Sequence, residues 1–452
     1  MTRQTAREMV LVGFLQAQNC SNYPASWRHP DAAQDFLSPR YYQRIARILE
    51  DGKFHLAFFD DRLAMPDIFG ADHSESVRHG VRVVKMDPVP IMAAMGAVTD
   101  RIGLGATCST TYYEPFHVAR TFATLDHMTE GRAGWNVVTS LNDSEALNMG
   151  AQGTAPHDQR YDRADEFMRV VMSHWHSWAP GALKADRETG EFADPALVSR
   201  LDHQGEWFSS RGPFTVPPSA QGHPLVIQAG QSGRGRQFAL EWGELIFAIF
   251  PNLEYGQKVC AEMREEAAKQ GRDPDSFRVA PAIYVTVGET NAIAKQKAEL
   301  AASLAQPIDT LALLSEALNF DFGSKPIDEP FTDDELASIN GLQAIRDRVI
   351  RTSGKDNPTV ADFVEHSGRG TLREVPHFVG DAKSVADELQ TWFEARACDG
   401  FVLAATHIPG SYEDFTRMVV PELQRRGLHQ RDYRARTLRE NLGLPGLKWP
   451  RD

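Results

Sequence analysis

Residues 113–148 read YEPFHVARTFATLDHMTEGRAGWNVVTSLNDSEALN. A helix-length segment rich in Ala, Thr and Leu stops at Gly131-Arg132 and passes directly into the apolar run AGWNVVTS, which opens onto a polar loop. This is a helix feeding a buried strand, with Asn136, Thr139 and Ser140 towards the strand's C-terminal end. In an α/β barrel the chemistry sits where strands end.

Working outward, the same alternation recurs. Apolar runs begin at Met9 (MVLVGFLQA), Phe54 (FHLAFFDD), Ile102 (IGLGATCST), Ala133, Pro224 (PLVIQAG), Leu245 (LIFAIF), Phe277 (FRVAPAIYVTVG) and Gly400 (GFVLAATHIPG). Segments with helical spacing fall between or after them, at 39–51, 164–178, 382–396 and 412–426. Runs of this kind suit strands covered on both faces, and repeated βα units give a parallel sheet. The eight runs predict an α/β fold, a TIM-type (β/α)8 barrel, as one domain over residues 1–452. Two segments exceed a minimal barrel. Residues 179–223 are rich in Pro, Gly and charge, and 307–376 are acidic and irregular, which is the usual mark of a functional lid or a surface insertion. The second reads as the main substrate-covering insertion, with an oligomer contact as the competing reading.

The chain has 452 residues and a net charge of −13, from 61 acidic and 48 basic residues. Its dense basic stretch, QRRGLHQRDYRARTLRE, is interleaved with acids, so no nucleic-acid partner is expected. Cys20, Cys108, Cys260 and Cys398 form no CxxC pair, which argues against a disulfide framework or a structural zinc site. No apolar run reaches the ~18 residues that span a membrane, and the N-terminus has no cleavage signature. The expected location is cytoplasmic.

Several polar residues fall where chemistry would. Asp61 ends the second apolar run, at a barrel mouth or simply in a turn. Thr107 nears the end of the third run, where a hydroxyl could meet a ligand edge in an otherwise apolar pocket; β-branched Thr is equally at home in any strand. Asn136 is an amide inside an apolar strand and needs partners if buried. His157 and Tyr161, four residues apart in TAPHDQRYDRADEF, would share a face of an opening helix, and helix N-termini suit anions. The loop QAGQSGRGRQF offers Gly230, Gly233 and Gly235 for close backbone approach, the hydroxyl of Ser232, and charge from Arg234 and Arg236, a plausible phosphate cradle. It is neither the dinucleotide fingerprint nor a Walker loop, nor a nucleophile elbow. His174 and His176 flank Trp175 and point apart on a helix. HExxH is absent and no compact metal-ligand set is expected.

With WRHPDAAQDFLSPRYYQRIAR (from Trp27), the 113–148 stretch, the QAG loop, DGFVLAATHIPGSYEDF (from Asp399) and LRENLGL (from Leu438), nearly the whole chain resembles reduced-flavin monooxygenases of the nitrilotriacetate and dibenzothiophene-sulfone type, within the bacterial-luciferase-like superfamily. The resemblance implies a two-component monooxygenase. A separate NAD(P)H:flavin reductase would supply FMNH2, and O2 would oxygenate a small organic substrate through a flavin C4a-hydroperoxide. The substrate would be of sulfone, aminopolycarboxylate or halogenated-aromatic type. It also implies flavin contacts at Asp61, Thr107, Asn136, His157, Tyr161 and Ser232, and a homodimer or homotetramer. Asp61 rather than Asp60 matches, because the family's aspartate stands two residues before the pair that here is Leu63-Ala64. The loop QNCSNYPASWRH carries Asn22 and Tyr23 where some relatives have His, so the catalytic acid and base stay open. Competing readings are a deazaflavin-dependent hydride-transfer enzyme of the same superfamily and a non-catalytic flavin binder.

Overall fold

The computed structural model describes residues 7–230, 233–339 and 341–447. Each of the eight apolar runs supplies one strand: β1 Val10–Gln16, β2 Leu56–Asp60, β3 Gly103–Ser109, β4 Ala133–Val138, β5 Leu225–Gln228, β6 Leu245–Ala248, β7 Arg278–Val287 and β8 Gly400–Ala404. All neighbouring pairs are parallel, and β8 returns to β1, closing the barrel.

Side chains alternate across each strand. Val10, Val12 and Phe14 of β1, Leu56 and Phe58 of β2, and Leu225 and Ile227 of β5 fill the barrel interior. Leu11, Leu15, Ala57 and Phe59 face the surrounding helices. Gly105 is required in the inner layer, because a Cβ there would lie 2.9 Å from Cδ1 of Ile227. Leu438, Leu442 and Leu444 of the C-terminal segment join the same interior cluster.

The helices follow local rules. Pro39–Asp51 starts on Ser38, whose side chain accepts from the Arg40 N–H, with Pro at the first helical position. It buries Tyr41, Tyr42, Ile45, Ala46 and Leu49, one stripe at helical spacing, and stops at Gly52. The helix expected over 164–178 begins earlier, at His157, and ends at Trp175.

The two insertions differ. Residues 179–223 are largely irregular, with a short hairpin of His203–Gln204 and Ser209–Ser210. Buried Phe208 and Phe214 dock it on the outer core, and the Glu166 carboxylate accepts from the backbone N–H groups of Glu206, Trp207 and Phe208. Residues 307–376 are not irregular: they form the helices Pro307–Leu318, Asp333–Ser338, Gln343–Ser353 and Val360–His366 around their own core of Leu314, Leu318, Phe322, Phe331 and Phe363. Several of the acids of this segment stand at helix starts. Capping boxes join Gln306 to Asp309, Thr332 to Glu335 and Thr359 to Asp362.

The insertion is pinned at both ends. Arg28 grips the fully buried Asp309 carboxylate at 2.6 and 3.1 Å. After the insertion, an unanticipated strand, His377–Gly380, pairs in parallel with Tyr284–Val287 of β7, beyond the point where β8 leaves at Ala404. Among the described residues no helix is long and apolar enough to cross a membrane.

Candidate active site at the barrel mouth

The C-terminal ends of β1 to β4 build the core of the site. Gln16 stands opposite Asp60 in the β1–β2 register, and Thr107 opposite Asn136 in β3–β4. By alternation Gln16 continues the inward row of Val10, Val12 and Phe14, and Asp60 that of Leu56 and Phe58. Below them lies an aromatic floor. Phe14 and Phe58 stack at 5.5 Å, and Phe247 packs 5.3 Å from Phe14 and 5.9 Å from Phe58.

This floor carries unanswered polar atoms. Both amide atoms of Gln16 and Oδ1 of Asn136 are buried with no hydrogen-bond partner among the described residues. A buried amide without partners is costly, so the mouth is built for a polar ligand edge over an apolar base. Asn136 Nδ2 donates to Thr107 Oγ1 at 2.8 Å, so these two expected residues do meet. Gln16 escaped the sequence reading. Its signal was an amide ending an otherwise apolar strand, the criterion that singled out Asn136.

Asp61 sits on the rim, accepting from the Arg62 N–H at 2.8 Å. Burial, then repulsion from Asp60, pushes its carboxyl up to about 7. Its charge in turn helps raise the Cys108 thiol and the Tyr113 hydroxyl, after burial. Asp61 is thus a proton-holding group beside the mouth, and the inward row is occupied by Asp60.

His157 and Tyr161 open the helix His157–Trp175. Their rings lie 5.0 Å apart, and buried Tyr161 packs against Phe238 of the helix Gly233–Trp242. Arg160 holds this helix start to the end of β4 by donating to the Ser140 carbonyl at 2.5 Å. Both loop arginines are committed elsewhere. Arg234 pairs with Asp162 and Asp165, and Arg236 with Glu262 at 3.1 Å. Neither arginine therefore offers an unpaired charge to an anion at this loop. Ser232 lies outside the described residues. Gly230 has a steric reason to be Gly, since a Cβ would come 2.8 Å from the Gly235 backbone.

The loops after β2 and β4 are laced together. Asn142 caps the helix Asp143–Asn148 and also donates to the Glu316 carbonyl of the insertion at 3.2 Å. Glu145 accepts from the Leu63 N–H at 3.1 Å, and its Oε2 is buried with no hydrogen-bond partner among the described residues. The histidines are less scattered than the sequence implied. His29, Asp31 and His407 offer ligand atoms within 4.8 Å of one another. The two rings stack face to face at 3.7 Å, however, and His29 Nδ1 already accepts from the Asp31 N–H. Parallel stacked rings do not aim two lone pairs at one ion. His174 instead meets Ser210, at 2.9 Å.

The family model for luciferase-like monooxygenases matches residues 19–399. The chain is 43% identical to a dibenzothiophene-sulfone monooxygenase of Rhodococcus erythropolis, covering 98% of both chains. It is 36% identical to nitrilotriacetate monooxygenase component A of Aminobacter aminovorans, covering 97% of both. The crystal structure of a riboflavin lyase with modified FMN and riboflavin superposes with a TM-score of 0.88 at 32% identity, covering 98% of both. A barrel closed by eight parallel strands, an amide-lined mouth over an aromatic floor and likeness along the whole chain converge: this protein belongs to the luciferase-like monooxygenase family and is a flavin-dependent monooxygenase of the two-component type.

Proposed function

We propose that the flavin is FMN, delivered reduced by a separate NAD(P)H:flavin reductase, and that the enzyme inserts one oxygen atom of O2 into a small organic substrate. The observation that carries this reading is the set of unpartnered amide atoms of Gln16 and Asn136 above Phe14, Phe58 and Phe247. Donors and acceptors on an apolar base suit the polar edge and flat face of an isoalloxazine. When bound, reduced flavin supplies the electrons and activates O2.

The protein's part is binding, orientation and exclusion of water. Asn136, held by Thr107, offers an acceptor in the mouth. Gln16 can both donate and accept. The N-terminus of the His157–Trp175 helix, with Tyr161 beside it, and the Gly230 loop with Ser232 are assigned to the phosphate, following the family pattern. Asp61 is the group at the rim that can exchange a proton near neutrality. The 307–376 insertion is assigned to covering the mouth and the assembly to a soluble homo-oligomer.

The purified protein should oxidise almost no NADH by itself and should consume O2 with substrate once FMN and a flavin reductase are added. Robust NADH turnover by this chain alone would overturn the two-component reading, and hydride transfer without O2 would favour a deazaflavin enzyme.

A further inference from the structure

The loop after β1 arches over the mouth. Ser21 Oγ donates to the carbonyl of Ala405, just past β8, at 2.7 Å, and Asn22 Nδ2 donates to the Tyr284 hydroxyl of β7 at 2.9 Å. Tyr284 belongs to the inward row of β7, with Ala280 and Ala282. It stands opposite Ala404 of β8, which in turn stands opposite Phe14 of the aromatic floor. β3, which carries Thr107, lies four strands from β7 either way round the closed barrel, so Asn22 reaches the far side of the mouth. The direction of each bond is set. Arg82 donates to the Asn22 backbone carbonyl and, at 3.5 Å, to Asn22 Oδ1. A guanidinium only donates, so the amide turns its oxygen to Arg82 and its nitrogen to Tyr284. Burial holds the Tyr284 hydroxyl above its ordinary range, so it keeps its hydrogen. Two hydrogens are left over, the second on Asn22 Nδ2 and that of the Tyr284 hydroxyl, and neither has an acceptor among the described residues. Tyr284 is fully buried whereas Asn22 is partly exposed, so the amide is the donor that a guest meets.

We propose that Asn22, clamped between Arg82 and Tyr284, is a specificity-determining residue that donates its remaining N–H to an uncharged oxygen acceptor of the substrate, a carbonyl or S=O oxygen. This rests on the monooxygenase reading above and names the group by which that substrate is held. Hydrogen bonds in a chain polarise one another, so the guanidinium on Oδ1 strengthens the N–H as a donor. The clamp also fixes the amide before a ligand arrives, which spares the ordering cost of binding. Arg82, the cation in contact with the amide, is itself buried, so what the loop presents outward is one neutral donor. Gln16 and Asn136 serve the flavin edge from β1 and β4, and the amide over β7 is left to the substrate. Tyr284 acts through Asn22 and is a positioning residue.

The test uses the full-length protein with FMN bound. Methyl phenyl sulfone and acetophenone are the oxygen-bearing probes, and isopropylbenzene is a partner of similar shape without an acceptor. Dissociation constants are read by ligand-observed NMR. Asn22→Asp keeps the clamp, since a carboxylate accepts from both Arg82 and the Tyr284 hydroxyl, but it removes the N–H. The preference for an oxygen-bearing probe over isopropylbenzene should fall about tenfold from wild type to Asn22→Asp, the size of one hydrogen bond. Tyr284→Phe should lose less of that preference, because the amide survives without its anchor, and should bind isopropylbenzene unchanged. FMN should bind both variants as it binds the wild type. Melting curves report folding, and if Asn22→Asp does not fold, Asn22→Ser repeats the comparison with a loss in the same direction. Three results would overturn the proposal: an unchanged preference in the Asn22 variant, FMN-loaded wild type that binds neither oxygen-bearing probe, or FMN loosened by Asn22→Asp as much as the probes, which would give the amide to the flavin. Failure of the wild type to bind FMN is a separate result and would sink the monooxygenase reading instead.

Discussion

Asn136 donates to Thr107 Oγ1 at 2.8 Å while Thr107 donates its hydroxyl hydrogen to the Phe59 carbonyl at 2.9 Å. A carbonyl only accepts, so the direction of both bonds is fixed. The amide is held with its nitrogen towards Thr107 and its oxygen, buried and unpaired, towards the mouth. Asn136 therefore calls for an N–H on the ligand. Asn136→Leu should weaken flavin binding by up to about tenfold, the value of one neutral hydrogen bond, with little change in melting of the ligand-free protein. Thr107→Val should lose less, because the amide survives with its orientation freed. Fluorescence titration checks both; unchanged affinity in Asn136→Leu would place the ring edge elsewhere.

Ser232→Ala addresses the phosphate end. A hydrogen bond to a charged group contributes about 1.5–3 kcal/mol, so FMN should loosen roughly ten- to a hundredfold. Riboflavin, which lacks the phosphate, should hardly respond. With Arg234 and Arg236 already ion-paired, fewer charges remain to mask the loss. An equal loss for both ligands would mean that Ser232 touches the ring or shapes the pocket.

The contribution of Asp61 to stability should fall as the pH rises towards neutrality. The Asp61 carboxyl titrates at about 7 in the fold, chiefly through burial, against an ordinary value of 3.8. Between those values the native state binds one more proton than the unfolded chain. The stabilisation is complete below about pH 4 and is lost as pH rises through about 7, with a slope near 1.4 kcal/mol per pH unit. Asp126, raised to about 6 mainly by burial, acts in the same direction over a narrower window. Histidines whose values burial lowers, among them His174, His377, His407 and His429, work in the opposite direction, so the decline is read as the difference in urea midpoints between wild type and Asp61→Asn from about pH 4.5 to 8. No pH dependence in that difference would mean that the fold does not raise the Asp61 carboxyl.

The Arg28–Asp309 pair should govern how firmly the insertion is held. Arg28→Ala leaves a fully buried carboxylate without its cation, a loss of about 3–5 kcal/mol. Hydrogen exchange in Pro307–Leu318 should accelerate far more than in β1 or β8. Adding Asp309→Asn should recover part of the loss by removing the stranded charge. Uniform acceleration across the barrel would show instead that the pair supports the whole fold.

The barrel was legible because each strand announces itself as a short apolar run, and eight such runs mark eight strands. Thr107 and Asn136 were legible as polar residues near strand ends. Gln16 was missed because a single glutamine after VLVGFL looks like the edge of a strand; only closure of the barrel turns it inward. The insertion was misread for a different reason. Asp309, Glu335 and Asp362 look like solvated acids until the helices they cap are seen.

The forked strand β7 has a mechanical consequence. Its lower part completes the barrel with β8, while Tyr284–Val287 carries His377–Gly380 as the insertion returns. The other end of the insertion is fastened through Asp309 to Arg28. A segment moored on both banks cannot swing like a door on one hinge. With the insertion over the mouth as proposed, access comes from its middle span bowing outward, and loosening either mooring should alter the dwell time of a guest without touching a single group that contacts it.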